Sequence, residues 1–360
     1  MKGWYLYGMN DMRLEEVPDP GLKEGYLLAE ILCAQPSVTE TQMVTGIGNP
    51  FGFQERLKKE GSVPLPGHEY CARVIKTNKN SKFKPGDRVA GLAKIPCGAC
   101  LMCQSGYPML CKDYDIMGVT IVGCFSELAL LPERALIKVD DRVSDSEGAC
   151  LQPLSDCVAA VDTAGIHMGN TIAIFGQGCL GINSLQIARA SGAGMLIAVD
   201  VRDDILDKSK ELGAYYTINA KNANPVDAIK ELTGGKGADI VFEAAGGNPK
   251  KGLAGTQTIQ PSIDSVRNEG KIVILSIYGQ PVEMPVDIIR NRGVQIIFPK
   301  MTTITHLQHA MRIVASGQVQ LKPIVTQVLS GIDTVPKAFE ITGNKGRYNS
   351  IMPAQVMMTK

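Results

Sequence analysis

The sequence predicts an α/β protein built from a β-rich domain and a domain with a doubly wound parallel sheet. Three observations carry this. The chain of 360 residues is too long for one ordinary core and fits two. Short apolar runs broken by turn signals fill roughly its first 150 residues. From about Val158, apolar runs of strand length alternate with helical stretches, the pattern of a parallel sheet covered on both faces.

In the first part, Leu27–Cys33, Tyr70–Lys76, Arg88–Leu92 and Glu127–Leu131 read as strands. Pro18-Asp19-Pro20-Gly21 and Lys84-Pro85-Gly86-Asp87 read as turns between them. The charged insert from Phe53 to Gly61 suits a short helix or a mobile loop. In the second part, Thr171–Phe175 is a buried strand and Leu180–Ala190 the helix after it. Strand Met195–Val199 ends at Asp200, and the charged helix Asp203–Leu212 follows. The alternation continues with Tyr215–Asn219, a helix around Pro225–Thr233, Asp239–Glu243, a helix up to Asn268, and Lys271–Ser276. The tail from Val294 returns to mixed strand and helix, so the expected domains are 1–157, 158–297 and a returning segment 298–360.

Charge narrows the partners. The chain has 37 basic and 36 acidic residues, interspersed, for a net charge of +1. No basic tract offers itself to nucleic-acid phosphates or a membrane surface, so the expected partner is a small molecule. The apolar start at Trp4-Tyr5-Leu6-Tyr7 is cut short by Asp11, Arg13, Glu15 and Glu16, which argues against a secretion signal. A cytoplasmic protein is expected.

Gly176-Gln177-Gly178-Cys179-Leu180-Gly181 is a G-x-G-x-x-G turn placed directly after a buried strand and opening a helix. Gly176 permits the tight turn, Gly178 lets the backbone approach a pyrophosphate, and Gly181 lets helix and strand pack closely. Cys179 and Leu180 begin the helix, whose N-terminal N–H groups and positive dipole end suit phosphates. Asp200, nineteen residues beyond Gly181, is placed to accept the ribose hydroxyls of NAD. It repels a 2′-phosphate by about 4 kcal/mol at ~4 Å and an effective dielectric of ~20, which disfavours NADP. Arg202 pulls the other way, since a guanidinium tolerates that phosphate. The reading is NAD.

Of ten cysteines, six (Cys33, Cys71, Cys124, Cys150, Cys157, Cys179) are scattered through apolar segments, as buried thiols are. The other four form Cys97-x₂-Cys100-x₂-Cys103-x₇-Cys111. Four thiolates on one short lobe close tetrahedrally around Zn²⁺ and leave no open position, so this zinc is structural. An iron–sulfur cluster also takes four cysteines. Hydride transfer needs no electron relay, and zinc is the preferred reading.

With these motifs in order, the chain resembles the zinc-containing medium-chain dehydrogenase/reductase family, with polyol and threonine dehydrogenases as nearer relatives. The resemblance runs through Met12–Pro20, Gly67-His68-Glu69, Pro85–Val89, the cysteine lobe, Gly123–Glu127, Gln152–Ser155, the glycine turn and Glu243–Gly246. It implies a GroES-like catalytic domain interrupted by a Rossmann domain. It implies an NAD-dependent oxidation of a secondary alcohol on a polyol, sugar or cyclic compound, in a homodimer or homotetramer. It also implies a catalytic zinc held by a Cys, the His and Glu of Gly-His-Glu, and a later Glu. Here His68 and Glu69 are present, the cysteine position falls on Ser37, the later glutamate on Gln152, and the histidine of the proton relay on Gln42.

Two mechanisms follow. In one, zinc on His68, Glu69, Gln152 and water, with or without Ser37, polarises the substrate oxygen, and Thr39 passes the proton outward. In the other there is no catalytic metal, and His68, Glu69 or Asp156 is the base. Asp156 is also what a helix start carries. An enzyme that uses held NAD for transient oxidation, and a redox-silent NAD-binding protein, are the competing classes.

Overall fold

The computed structural model describes residues 1–47, 52–247, 249, 254–278, 280–299 and 302–358. The chain divides into two compact units: Met1–Ser155 with Met301–Ala315 and Val325–Lys360, and Asp156–Lys300 with Ser316–Ile324. The short segment Ser316–Ile324 goes with the second unit because Gln186 grips its backbone. Gln320 N donates to Gln186 Oε1 at 2.8 Å, and Gln186 Nε2 donates to Gln320 O at 3.2 Å.

The first unit is built on a largely antiparallel sheet. Strand Tyr26–Gln35 is at its centre and pairs with Glu69–Lys76, with Leu128–Pro132 and with the C-terminal strand Gln355–Met357. Its inner residues Leu27, Ala29, Ile31 and Cys33 have no exposed surface, each large one contributing roughly 1.5–3 kcal/mol of burial. The C-terminal strand is thus an integral part of the unit. A separate three-stranded sheet holds Lys2–Gly8 between Asp11–Glu16 and Val63–Pro64. Trp4, the only tryptophan, donates its Nε1–H to Ile332 O at 2.8 Å. The insert read as helix or loop is a helix, Phe53–Glu60, docked by the buried Phe53 and Leu57.

The second unit contains a six-stranded parallel sheet. In chain order its strands are Thr171–Phe175, Met195–Asp200, Tyr216–Asn219, Ala238–Glu243, Val266–Ile274 and Gln295–Ile297, and in space they lie 3-2-1-4-5-6. This is the dinucleotide-fold order, with its switch point between the first and fourth strands. The first strand is buried from Ile172 to Phe175, as a sheet covered on both faces demands. One expectation is corrected. The helix after the fourth strand ends at Ser265, and Val266–Asn268 already belong to the fifth strand. Buried Val266 pairs with Ala238 there, and the register then shifts before Ile240. That irregularity hides the strand start from a reading by periodicity. Among the described residues no helix is long and apolar enough to cross a membrane.

Candidate active site

Gly176 has φ +86°, and a Cβ there meets Ala244 backbone atoms at 2.8 Å, so the turn is pressed against the end of the fourth strand. A Cβ on Gly181 falls 1.7 Å from Gly176 O. Gly178 differs: its φ of −70° is open to any residue, and a Cβ there meets nothing within 4 Å. The space over Gly178 is therefore available to a ligand. Gly178 is the N-cap of the helix Cys179–Ala190 and, as glycine, brings no side chain of its own to the N–H groups there.

Asp200 closes the second strand beside this turn. Its Oδ2 accepts from Gln177 N at 2.7 Å, while Oδ1 accepts from Val201 N at 2.7 Å and Arg202 N at 3.1 Å. The carboxylate is thus fixed against the glycine turn while remaining half-buried. Arg202 forks onto Asp204, Nε to Oδ1 at 3.0 Å and Nη2 to Oδ2 at 2.5 Å. A guanidinium spent on that carboxylate is a poorer partner for a 2′-phosphate. Across the switch point, Glu243 has no exposed surface. It accepts from Ala245 N, Gly246 N and Thr258 Oγ1 at 3.0, 2.8 and 2.7 Å, and from the Tyr278 hydroxyl. It thereby pins the loop that Gly176 packs against. Cys179 and Leu180 are half-buried at the helix start, and Leu180 O accepts from the buried Cys157 thiol at 3.4 Å.

The four lobe cysteines are free thiols whose sulfurs all lie within 4.8 Å of one another. Cys97 and Cys103 Sγ are 4.0 Å apart, Cys100 and Cys111 Sγ 3.8 Å. A tetrahedral zinc with ~2.3 Å bonds to sulfur sets its ligands about 3.8 Å apart, and these two pairs match that spacing. Backbone N–H groups of Ala99 and Cys100 pull the Cys97 thiol down to about 7, toward the thiolate that metal binding requires.

The third cluster surrounds His68. Its Nδ1 lies 2.7 Å from Glu40 Oε1 and its Nε2 3.9 Å from Glu69 Oε1. Glu40 and Glu69 are 1% and 4% exposed. Buried carboxylates need partners, and these have them. Glu40 Oε2 accepts from Ser37 N at 2.6 Å, and Glu69 Oε2 accepts from Gln35 Nε2 at 2.5 Å. Gln35 is placed by the sheet register, in which it sits opposite Glu69. Its Oε1 accepts from Gln355 Nε2 at 2.8 Å and from the Cys150 thiol at 3.5 Å.

Ser37 is the N-cap of helix Val38–Thr45, and its Oγ accepts from Glu40 N at 3.2 Å in a reciprocal capping box. Thr39 is half-buried in the first turn. Gln152 is buried in the first turn of helix Leu151–Ala164, where its carbonyl accepts from Ser155 Oγ at 2.6 Å. Asp156 lies five residues into that helix rather than at its start, so the helix-start role is corrected; it falls in the second unit.

Glu40 and Gln35 are the residues the sequence reading missed. The spacing Ser37-x-x-Glu40 is itself a capping-box signature and points to the helix start. Nothing local points to Gln35.

A catalytic zinc needs more than His68 and Glu69 here. Bonds of about 2.1 Å at the tetrahedral angle set ligand atoms ~3.4 Å apart and need three protein ligands. His68 Nε2 and Glu69 Oε1 stand at 3.9 Å. Among the described residues, the cysteine quartet is the one group of three or more His, Cys, Asp or Glu side chains placed to hold a metal.

Known proteins agree with this architecture. A family model described as zinc-binding dehydrogenase matches residues 179–316, and the alcohol dehydrogenase GroES-like domain matches residues 35–141. L-threonine 3-dehydrogenase of Bacillus licheniformis is 29% identical over 343 residues, 94% of either chain. The zinc-type alcohol dehydrogenase-like protein YdjJ of Escherichia coli is 30% identical over 285 residues, 78% of this chain and 79% of that one. A solved oxidoreductase/dehydrogenase of unknown specificity from Escherichia coli superimposes with a TM-score of 0.87 at 25% identity, covering 100% of this chain and 99% of that one. The chain belongs to the zinc-containing medium-chain alcohol dehydrogenase family.

Proposed function

We propose that the protein is an NAD-dependent oxidoreductase that moves hydride between a secondary alcohol and nicotinamide, with one structural zinc in the cysteine lobe. The observation that carries this is the cradle over Gly178. A side-chain-free approach to a helix N-terminus sits beside a fixed carboxylate, Asp200, on the neighbouring strand. NAD supplies the hydride acceptor when bound. The glycine turn holds its pyrophosphate, Asp200 its ribose, and Asp204 keeps Arg202 occupied, which favours NAD over NADP.

The substrate class is read from relatives that are threonine, erythritol/threitol and sorbitol dehydrogenases. A small polyol, sugar or cyclic alcohol is the class proposed here. The edge strand Gln295–Ile297, with exposed Val286 and Phe298 nearby in sequence, supports pairing of two copies into a homodimer or homotetramer. Ten free cysteines suit the reducing cytoplasm.

The test is incubation of purified protein with NAD and a panel of such alcohols while NADH is followed. Net NADH formation supports the reading. Substrate conversion without net NADH points instead to transient oxidation, and binding of NADH with no conversion at all to a redox-silent protein.

A further inference from the structure

We propose that Gln177 and Ser209 are positioning residues for coenzyme selection: their buried hydrogen bond ties the glycine turn to the helix after the second strand and so holds the Asp200 carboxylate where it meets the coenzyme ribose. This rests on the dehydrogenase reading and deepens it, by naming what fixes the residue that tells NAD from NADP.

The dinucleotide fingerprint gives steric roles to its glycines only, yet the Gln177 side chain within it has no exposed surface. A buried amide needs partners at both ends, and this one has them. Its Nε2 donates to Ile174 O in the first strand at 2.9 Å, and its Oε1 accepts from Ser209 Oγ at 3.2 Å. Ser209, also without exposed surface, lies on the helix Asp203–Glu211. Its hydroxyl proton is shared with Ile205 O, one turn back at 2.9 Å.

These bonds close a ring within the second unit. Gln177 N donates to Asp200 Oδ2, and Asp200 Oδ1 accepts from Val201 N and Arg202 N. Arg202 is the N-cap of the same helix, which returns to Gln177 through Ser209. A carboxylate offers about four acceptor positions. Among the described residues Oδ1 has two N–H donors and Oδ2 one, so Oδ2 is the oxygen with room for a ribose hydroxyl. Its donor is the residue whose side chain is clamped, and the clamp therefore sets the direction of the remaining lone pair. The helix also carries Asp204, the partner of Arg202. A helix that drifts from the turn thus moves both charges that a 2′-phosphate meets.

The test is titration of the zinc-replete protein with NADH and NADPH, beside thermal unfolding. Ser209→Ala removes the hydroxyl and keeps a good helix former. Gln177→Met keeps length and bulk and removes the amide. In each, the ratio of Kd for NADPH to Kd for NADH is expected to fall at least threefold. With Asp200→Asn already present, the same substitutions are expected to change that ratio by less than twofold, because they act through the carboxylate. A smaller fall than threefold in either variant overturns the proposal and, while NADH still binds, leaves the dehydrogenase reading standing. A change of twofold or more in the Asp200→Asn background assigns the pair to the stability of the fold and overturns it as well. A parent that binds neither coenzyme fails the dehydrogenase reading itself, and this proposal with it.

Discussion

Gly178→Ala separates cofactor binding from folding more cleanly than any other single change. At φ −70° and with nothing within 4 Å of the new Cβ, the fold has no reason to object. Alanine is a poorer N-cap than glycine, so the expected stability cost is under about 1 kcal/mol, a shift in Tm of a few degrees at most. If the pyrophosphate rests on this backbone, however, the methyl group occupies its contact surface and lifts it from the helix N–H groups. Losing one charge-assisted hydrogen bond of ~1.5–3 kcal/mol raises Kd for NADH roughly ten- to hundredfold. Gly181→Ala makes the control, because its Cβ meets backbone at 1.7 Å and neither helix nor turn has a flexible side chain to give way. That variant is expected to lose stability by about 1–3 kcal/mol or more along with binding. The assay is NADH fluorescence titration beside thermal unfolding. If Gly178→Ala binds NADH as the parent does, the cradle is not where the pyrophosphate lies and the reasoning fails.

Three further outcomes are expected. Cys100→Ser removes the lobe zinc, and hydrogen exchange then shows residues 95–116 losing protection; full protection in a zinc-free protein contradicts the structural site. Asp200→Asn keeps an acceptor for Gln177 N but removes the charge, so the preference for NADH over NADPH falls at least tenfold by competitive titration. An unchanged preference removes Asp200 from the discrimination. Burial raises the Asp239 carboxyl, but the Arg267 guanidinium and the Thr171 N–H outweigh it and leave the group below its usual 3.8. A depressed native pKa stabilises above the unfolded value and is lost as pH falls from about 4 toward the native one. Asp239→Asn should therefore lower stability at neutral pH and flatten its acid dependence below ~4 in denaturant titrations, and an unaltered slope refutes this.

What was legible in the sequence follows from the range of the interactions involved. The glycine turn and the cysteine quartet act within a dozen or so residues, and each requires a residue type that little else explains. Gly176 and Gly181 do two different steric jobs, Gly178 leaves the helix start open, and the four thiols need only their lobe. Asp200 was legible because a strand end one βα unit further on is a fixed position in this topology. The His68 environment was only half legible. That His68 and Glu69 matter was readable, but Gln35 reaches Glu69 through strand pairing across 34 residues, and Gln355 reaches Gln35 across 320. No local pattern encodes either contact. Ser37 shows the opposite failure. The resemblance sets it where a thiolate is expected, while the spacing Ser37-x-x-Glu40 encodes the capping box that it forms. The start of the fifth strand was misread as helix because Ala238 and Val266 pair ahead of an irregularity that breaks the period-two pattern.

The account rests on a nicotinamide dinucleotide occupying the crevice between Gly178 and Asp200. Calorimetric titration of the zinc-replete protein with NADH and, separately, NADPH measures this directly. Saturable one-site binding of NADH, tighter than NADPH by tenfold or more, is the expected result; no heat with either coenzyme, or tighter binding of NADPH, contradicts it.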